Sequence, residues 1–510
     1  MSSTDVPKLE RGVLLQTAAG LLLCALGYFL AHRESHEVRT VLATAGGCNM
    51  PTDIYKPRSG TPLGSVVLFH GLSANKKVMA FTAEEFANQD LRVFVPDLPG
   101  HGKTPGPFSP ASVESCGEAL VRDLAIRRAI IPERTILAGH SMGGAIAARV
   151  ASHLGVAGVI AISPAPMHPA PGLAPELLLF PTPPALAPHS LVLSAAWEPA
   201  TARQIASDLV TQSADASNKY QVIPRTTHVS ILFAPATFEA IRSWTAQVLG
   251  ISGDAPPPKN LPALGCILGL LGLSLLAPPF LREMSASFPE KLPDDSNAPF
   301  SLLRTALLLA LFGSLALVVL RFVVPFRFVH IFQGDYLASY LFLIGVAMLA
   351  VRRQAIPALQ SFFSVATASG TAAAVLLVLL FAAWFELTFY EAWLTPARWL
   401  RFPVIFLALL PWHLAEETFL GNPSTSSRVR RVLHAFSFRT ILWILLLGGT
   451  LYLHSAQFLF VLLAVYFLVF SILQRMAMDV IRARTRSVAA AAIFGAILLA
   501  GLALAIFPIA

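Results

Sequence analysis

Two patterns of apolar residues divide the chain. Residues 38–250 contain short apolar runs, several rich in β-branched residues, and these alternate with patterns of helical period. From residue 261 onward the chain is a series of long apolar runs, and a further long run covers residues 12–31. The first pattern predicts a mostly parallel, doubly wound α/β sheet. The second predicts membrane-spanning helices, because about 20 apolar residues are needed to cross a bilayer.

The first long run, residues 12–31, follows Lys8 and Arg11. A secretory signal peptide has the same features, but it ends in a cleavage site formed by small residues. The sequence AHRESHEVRT after this run contains no such site. We therefore expect an uncleaved transmembrane anchor, preceded by a cytoplasmic N-terminus at residues 1–11.

A proline-rich linker at residues 251–261 separates the α/β region from residues 262–510, since Pro and Gly disfavour both helix and strand. We expect the last region to form an all-α transmembrane domain of about eight spans. Two of its runs are short and close together, so they fit either a tight hairpin of spans or a re-entrant pair, and the count is open by two. The expected spans lie near residues 262–280, 302–324, 335–351, 364–386, 402–420, 440–454, 457–474 and 488–508.

Composition favours a membrane protein over a soluble one. Hydrophobic residues make up 55% of the chain and charged residues 13%, whereas soluble domains contain about 25% charged residues. The net charge of +8 does not indicate a nucleic-acid partner, because the excess arginine lies in short loops and no basic stripe with interleaved aromatic residues occurs. The lipid bilayer is the expected partner.

Arginine and lysine are unevenly distributed among the loops of the expected transmembrane domain. Cytoplasmic loops are enriched in these residues, so we place the richer loops and the N-terminus in the cytoplasm. Residues 38–250 are then on the extracytoplasmic side of the cell (inner) membrane. The richer loops contain Arg282, Lys291, Arg352, Arg353, Arg428, Arg430, Arg431, Arg439, Arg475, Arg482, Arg484 and Arg486, and the opposite loops contain Arg327, Arg398 and Arg401.

The four cysteines do not suggest a metal site, since they form no CxxC motif or His/Cys cluster. Cys24 and Cys266 lie inside apolar runs, where cysteine is typically a small apolar filler. Cys48 and Cys116 lie in the more polar region. They can pair if that region is extracytoplasmic, and the sequence leaves this pairing open.

A serine lies between glycines where a strand pattern changes to a helix pattern. Residues 135–138 are strand-like, residues 145–150 are helix-like, and GHSMG occupies residues 139–143. A G-x-S-x-G sequence in this setting predicts a nucleophile elbow, whose tight turn projects the hydroxyl of Ser141 beyond the sheet and requires small neighbours. On this motif the chain resembles the α/β-hydrolase family over about residues 38–250. The transmembrane half shows no resemblance that we recognise.

The resemblance implies an oxyanion hole made of two backbone amides. One is the amide of Met142, directly after the serine. The other is the amide of Leu72, because VVLFHG at residues 66–71 ends a strand as in the family. The adjacent His70 is expected to be a structural turn residue.

The resemblance also implies a histidine base and an acid that follow the serine in chain order. His228 lies in the loop after the last strand-like run and is the expected base. Glu198, beyond the run SLVLSAAW, is the expected acid, although Asp is the commoner residue there. Asp208 is its rival but lies well inside a helix pattern. Asp97 belongs to a structural turn.

Only about 25 residues, rich in proline, separate the strands VIAIS and SLVLS. Many hydrolases of this family insert a helical lid at this place, and this chain has no room for a full lid. We expect the transmembrane domain or the bilayer to cover the site.

The predicted function is a membrane-embedded serine hydrolase that cleaves a small-molecule or lipid ester, a thioester or an amide through an acyl-enzyme on Ser141. No metal or cofactor is expected, and the oligomeric state is open. The alternatives are an acyltransferase and a polytopic transporter that carries an accessory α/β-hydrolase domain.

Several charged residues lie near the ends of the expected spans. A polar path for transport needs charges near the middle of the bilayer, so we interpret these residues as markers of the membrane boundary. They are Asp335, Glu386, Glu391, Glu416 and Glu417, with His330 and His413 nearby.

Overall fold

A computed structural model describes most of the chain. It consists of an α/β domain and a helical half, which is made of one helix before this domain and the helices after it. The α/β domain contains one sheet of eight strands, and the helical half contains helices that precede and follow this domain. The described residues are 11–33, 36–171, 173, 178–183, 185–213, 215–286, 300–323, 328–421, 428–453 and 457–510.

The sheet has the strand order β1-β2-β4-β3-β5-β6-β7-β8. The pairs β1–β2 and β2–β4 are antiparallel and all other pairs are parallel, as the alternation of strand and helix patterns predicts. The strands are β1 Val38–Ala45, β2 Cys48–Tyr55, β3 Gly64–Phe69, β4 Leu91–Pro96, β5 Thr135–His140, β6 Gly158–Ile162, β7 Ser190–Ala195 and β8 Lys219–Ile223.

Five helices cover the two faces of the sheet, and each face has its own hydrophobic core. Helices α2 and α6 pack on one face, and α3, α4 and α5 pack on the other. Because both faces are covered, every residue of the central strands β3, β5 and β6 except Gly64 is buried. Their sequences are therefore continuous apolar runs. The helices are α2 Ala80–Asn88, α3 Pro110–Ile126, α4 Met142–Ala151, α5 Ala200–Thr211 and α6 Pro235–Leu249.

The helical half contains, within the described residues, nine helices that are long and apolar enough to cross a membrane. Two shorter helices, α11 and α14, lie between them. The helices are α1 Arg11–Ala31, α7 Pro262–Ala286, α8 Leu302–Phe322, α9 Gly334–Val351, α10 Val365–Thr388, α11 Pro396–Trp399, α12 Phe402–Leu420, α13 Arg428–Tyr452, α14 Leu459–Leu462, α15 Ala464–Thr485 and α16 Val488–Ile506.

Helix α1 packs closely against α7, although the whole α/β domain separates them in sequence. Glycines allow this approach: a Cβ added to Gly27 would lie 2.5 Å from the carbonyl oxygen of Gly265. The amide of Leu261 donates to the carbonyl of Leu30 at 2.8 Å. The chain therefore leaves and re-enters the helical half at neighbouring points.

The two short spans expected near residues 440–454 and 457–474 are wrong in their bounds. Helix α13 begins at Arg428 and α15 ends at Thr485, so both are full-length helices, and residues 457–463 precede α15. The prediction from sequence assigned the arginine-containing segments to loops. Several of these arginines instead lie inside the helices, because carboxylates on neighbouring helices neutralise them.

Glu416 and Glu417 of α12 are at the centre of this charged cluster, and both are fully buried. Arg439 donates two hydrogen bonds to the Glu416 carboxylate at 2.8 and 3.0 Å. Arg475 lies 2.6 Å from Glu417, and Arg431 donates to Asp479 at 2.9 Å. Glu416 and Glu417 lie near the end of α12 and also join helices α12, α13 and α15 through buried ion pairs, a role that the sequence did not predict.

The α/β domain contacts the helical half through a second set of charges. Its lysines pair with carboxylates of the loop that follows α10 and of the end of α10 itself. Main-chain bonds add to this contact, since the amide of Ile509 donates to the carbonyl of Gly100 at 3.1 Å. The pairs are Lys76 with Asp97 and Glu391, Lys77 with Glu386, and Lys103 with Glu386 and Glu391.

The cysteine pair that the sequence left open is a disulfide in the structure. Cys48 at the start of β2 is bonded to Cys116 of α3, with 5.8 Å between the Cα atoms. Cys24 and Cys266 are free. The disulfide fixes the antiparallel edge of the sheet to a helix of the adjacent layer.

We expect the substitution Gly143→Ala to destabilise the α/β domain strongly. A Cβ at this position would overlap the backbone carbonyl of Phe69, and backbone cannot move aside as a flexible side chain can. The expected loss is roughly 3 kcal/mol or more, at the upper end for overpacked sites. Thermal unfolding in detergent measures it.

The control for this experiment is Gly155→Ala, since a Cβ there meets nothing within 4 Å. Equal thermal midpoints for the two variants would contradict the packing of α4 against β3.

Candidate active site

Ser141 lies on the turn between β5 and α4, with backbone angles φ 53° and ψ −117°. This conformation is strained for any residue with a side chain. It is tolerated because β5 and α4 nearly touch: a Cβ at Gly139 would overlap the backbone of Gly143. The local sequence therefore produces the predicted elbow, and the serine hydroxyl is left half-buried at the carboxyl edge of the sheet.

The structure brings Ser141, His228 and Glu198 into one chain of hydrogen bonds. Nε2 of His228 lies 2.9 Å from Oγ of Ser141, and Nδ1 of His228 lies 2.5 Å from Oε1 of Glu198. A carboxylate only accepts, so Nδ1 carries the hydrogen and Nε2 is free to accept from the serine hydroxyl. This arrangement can move a proton from Ser141 to His228.

Parallel strands explain why residues so distant in sequence meet. Strands β5, β7 and β8 run in the same direction, so the loops that follow them lie at one edge of the sheet. Ser141 follows β5, Glu198 follows β7 and His228 follows β8. The other oxygen of Glu198 accepts from the amide of Ala195 at 2.9 Å, which fixes the carboxylate.

The two alternative acids lie elsewhere. Asp208 of α5 lies 3.7 Å from Nε2 of His168 and accepts from Gln204. Asp97 is fully buried and its Oδ1 accepts from the amide of Lys76 at 2.9 Å. Glu198 is the predicted acid that contacts His228.

The amides of Leu72 and Met142, the predicted oxyanion-hole donors, belong to the residue after Gly71 and the residue after Ser141. Gly71 lies against the serine, since a Cβ added to it would be 3.3 Å from Cβ of Ser141. Both N–H groups have no hydrogen-bond acceptor among the described residues.

His140 is a residue of the site whose role the sequence did not indicate. Its Nε2 donates to the backbone carbonyl of His228 at 2.7 Å, so it holds the loop that carries the histidine. Burial, and to a smaller extent the neighbouring His228, lowers the pKa of His140 to about 3. The neutral ring can donate this bond across the physiological pH range. The motif GHSMG places His140 directly before the serine, but it does not reveal the contact of His140 with the carbonyl of His228.

His70 is a structural residue, as expected. Its Nε2 accepts from the amide of Leu98 at 3.0 Å, and burial lowers its pKa to about 4. The ring is therefore neutral and connects the loop after β3 with the loop after β4.

The helical half covers part of the site. Leu72 packs against the core of the helical half as well as against that of the α/β domain. Phe332, which precedes α9, does the same, and its ring contacts that of Phe108 at 5.1 Å between centroids. The connection between β6 and β7 contains no helix among its described residues. The described residues of this connection therefore form no helical lid. Leu72 and Phe332 lie instead against the helical half.

The described residues contain no group of three or more His, Cys, Asp or Glu side chains placed to hold a metal ion. The hydrogen-bonded groups at Ser141 are a hydroxyl, an imidazole and a carboxylate, which are the groups that activate a serine nucleophile.

Comparison with known proteins gives a family match and several similar solved structures. The sequence model of the Alpha/beta hydrolase family matches residues 66–296. No curated protein matches the chain. Similar solved structures include EstE1, a thermostable carboxylesterase cloned from a metagenomic library, with 16% identity, coverage of 48% of this chain and 97% of that one, and a TM-score of 0.37.

Two other similar structures are a soluble variant of monoglyceride lipase from Saccharomyces cerevisiae and an esterase from the archaeon Pyrobaculum calidifontis. The lipase is 14% identical, with coverage of 43% of this chain and 97% of that one, and a TM-score of 0.35. The esterase is 16% identical, with coverage of 48% and 94%, and a TM-score of 0.35.

We expect the substitution Glu198→Gln to lower kcat for a soluble ester by roughly 10²- to 10⁴-fold with little change in KM. The amide no longer selects the tautomer of His228 that accepts at Nε2, and it no longer stabilises the imidazolium. Steady-state kinetics on purified protein measures this loss.

The matched control is Asp208→Asn, which makes the same change on the rival acid. An equal loss in both variants, or a loss in Asp208→Asn alone, would contradict the role of Glu198.

Proposed function

We propose that this chain, whose α/β domain belongs to the α/β-hydrolase family, is a serine hydrolase that cleaves a carboxylic ester. The observation that carries the proposal is the hydrogen-bonded chain from Ser141 through His228 to Glu198, beside the free amides of Leu72 and Met142. A merely structural serine would not need a strained backbone, a base and a carboxylate together.

The proposed reaction begins when Nε2 of His228 takes the proton of the Ser141 hydroxyl. Oγ attacks the carbonyl carbon of the ester, and the amides of Leu72 and Met142 donate to the resulting oxyanion. When this intermediate collapses, the bond to the alcohol breaks and His228 returns its proton to the leaving oxygen. Water then attacks the acyl-enzyme with the same base, which releases the acid and restores Ser141. Another acceptor in place of water would make the chain an acyltransferase.

We place the helical half in a bilayer with the α/β domain on the extracytoplasmic side. The disulfide between Cys48 and Cys116 supports this side, since disulfides persist in oxidising compartments. Arginine placement supports it as well. Phe332 before α9 and Ile509 after α16 contact the α/β domain, so the opposite ends of these helices, near Arg352 and Arg484, face away from it. The cytoplasmic ends of spans are the arginine-rich ones.

The contact between the two halves favours a lipophilic substrate. An apolar cavity of about 450 Å³ lies among α7, α10, α15 and α16, and Ser274 and Gln474 are polar residues of its lining. Residues 392–394 and Ala505 form its end nearest the α/β domain. The hydroxyl of Tyr390 donates to the carbonyl of Ser73, next to Leu72, and lies 3.2 Å from the carbonyl oxygen of Ala505. We propose that an acyl chain lies in this cavity with its polar end toward the α/β domain.

We expect a fluorophosphonate probe that cannot cross membranes to label the wild-type protein on intact cells. The probe phosphonylates an activated serine, so Ser141→Ala should abolish the labelling, whereas Ser163→Ala, a change of the nearby buried serine after β6, should keep it. In-gel fluorescence measures the outcome. Labelling only after the membranes are opened would overturn the proposed orientation, and no labelling in either case would overturn the proposed hydrolase.

We expect the substitution Ala382→Phe, which fills the cavity from α10, to lower kcat/KM for a hexadecanoyl ester by roughly tenfold. Activity on a butanoyl ester should change less than twofold, because a short chain does not reach the cavity. The expected tenfold fall in kcat/KM corresponds to the loss of contacts with a few buried methylene groups of the acyl chain. Initial rates on the two p-nitrophenyl esters measure the effect.

The control is Ala368→Phe, on the same helix at an exposed position. Unchanged activity of Ala382→Phe on the long ester would show that the substrate chain lies elsewhere. An equal loss on both esters would show damage to the fold instead.

A further inference from the structure

Two loops meet where the halves of the molecule join. The Leu72 loop, residues 70–76, follows β3 and carries the amide of Leu72. The Tyr390 loop, residues 389–395, follows α10 in the helical half. The Leu72 loop contains Ser73 at φ 58°, a left-handed conformation that costs free energy for a residue with a side chain. Contacts around the loop must therefore hold it in place.

Contacts from the α/β domain hold the two ends of the Leu72 loop. At its start, His70 accepts from the amide of Leu98. At its end, the amide of Lys76 donates to Asp97 at 2.9 Å. Within the loop, the amide of Ala74 donates to the carbonyl of Gly71 at 3.1 Å. The segment around Leu72 and Ser73 lies between these fixed ends.

The helical half holds the middle of the loop. The hydroxyl of Tyr390 donates to the carbonyl of Ser73, with 2.9 Å between the oxygens. The same hydroxyl lies 3.2 Å from the carbonyl oxygen of Ala505, at the end of α16. Ser73 is buried, so water cannot easily replace the phenol. One hydroxyl thus connects the residue after Leu72 with two elements of the helical half.

A buried charge connects the same loop to the residue after Tyr390. The ammonium group of Lys76 donates to Asp97 Oδ2 at 2.9 Å and to Glu391 Oε1. The side chains of Lys76 and Glu391 are 3% and 2% exposed, so neither charge is solvated by bulk water. A charge buried in this way is stable only with its partner, which requires Glu391 to stay beside the Leu72 loop.

We infer that Tyr390 and Glu391 are positioning residues of the proposed active site, through which the helical half holds the Leu72 amide in the geometry that stabilises the oxyanion. This inference rests on the proposed function, and it makes the site a product of both halves. Neither residue contacts the reacting atoms, and their effect passes through the backbone of the Leu72 loop.

The test compares full-length wild type with Tyr390→Phe, both purified in detergent, with p-nitrophenyl butyrate as substrate. We expect kcat to fall roughly tenfold and KM to change less than twofold, since one hydrogen bond to the loop is lost and oxyanion stabilisation acts on the transition state. Each kcat is expressed per site that reacts with a fluorophosphonate, so unfolded molecules are not counted. Glu391→Gln should change kcat in the same direction.

The matched control is Tyr340→Phe. Its hydroxyl also donates to a buried backbone carbonyl, that of Leu442 at 3.3 Å, but within the helical half. If Tyr340→Phe and Tyr390→Phe lower kcat per reactive site equally, or if neither lowers it, the inference is overturned while the hydrolase stands. If wild type neither reacts with the probe nor turns over the ester, the proposed function is overturned and the inference falls with it.

Discussion

The buried ammonium group of Lys76 is the interaction on which the joining of the two halves depends. Burying a charge is unfavourable unless an opposite charge and hydrogen bonds accompany it. Lys76 receives one carboxylate from its own domain, Asp97, and one from the helical half, Glu391. Lys77, Lys103 and Glu386 surround this pair, so three positive charges face three negative ones. Glu391 and Glu386 thus supply, from the helical half, carboxylates that pair with the lysines of the α/β domain.

The residues around Ser141 were predictable because their arrangement is set by local chain geometry and by chain order. The change from strand to helix at GHSMG fixes the elbow, and parallel strands place the loops after β7 and β8 beside it. Glu198 and His228 could therefore be chosen from position alone. The contact of His140 with the carbonyl of His228 could not, since it depends on how one loop packs over another.

For a related reason, the sequence did not predict the contacts between the two halves or the bounds of α13 and α15. Hydropathy assigns a cost to each arginine by itself, so Arg439 and Arg475 read as ends of spans. In the structure Glu416 and Glu417 neutralise them, and the helices continue. Lys76 and Glu391 are likewise partners that are 315 residues apart. Ion pairs of this kind form only in the folded chain, and the pattern of apolar residues along the sequence does not predict them.

The glycine contact between α1 and α7 has a consequence for how the chain is organised. Leu30 and Leu261 are hydrogen-bonded neighbours, so everything between them is an insertion into a hairpin of two helices. Insertions with adjacent ends are tolerated because they leave the host scaffold undisturbed. The α/β domain is thus inserted in the connection between two adjacent helices of a helical bundle.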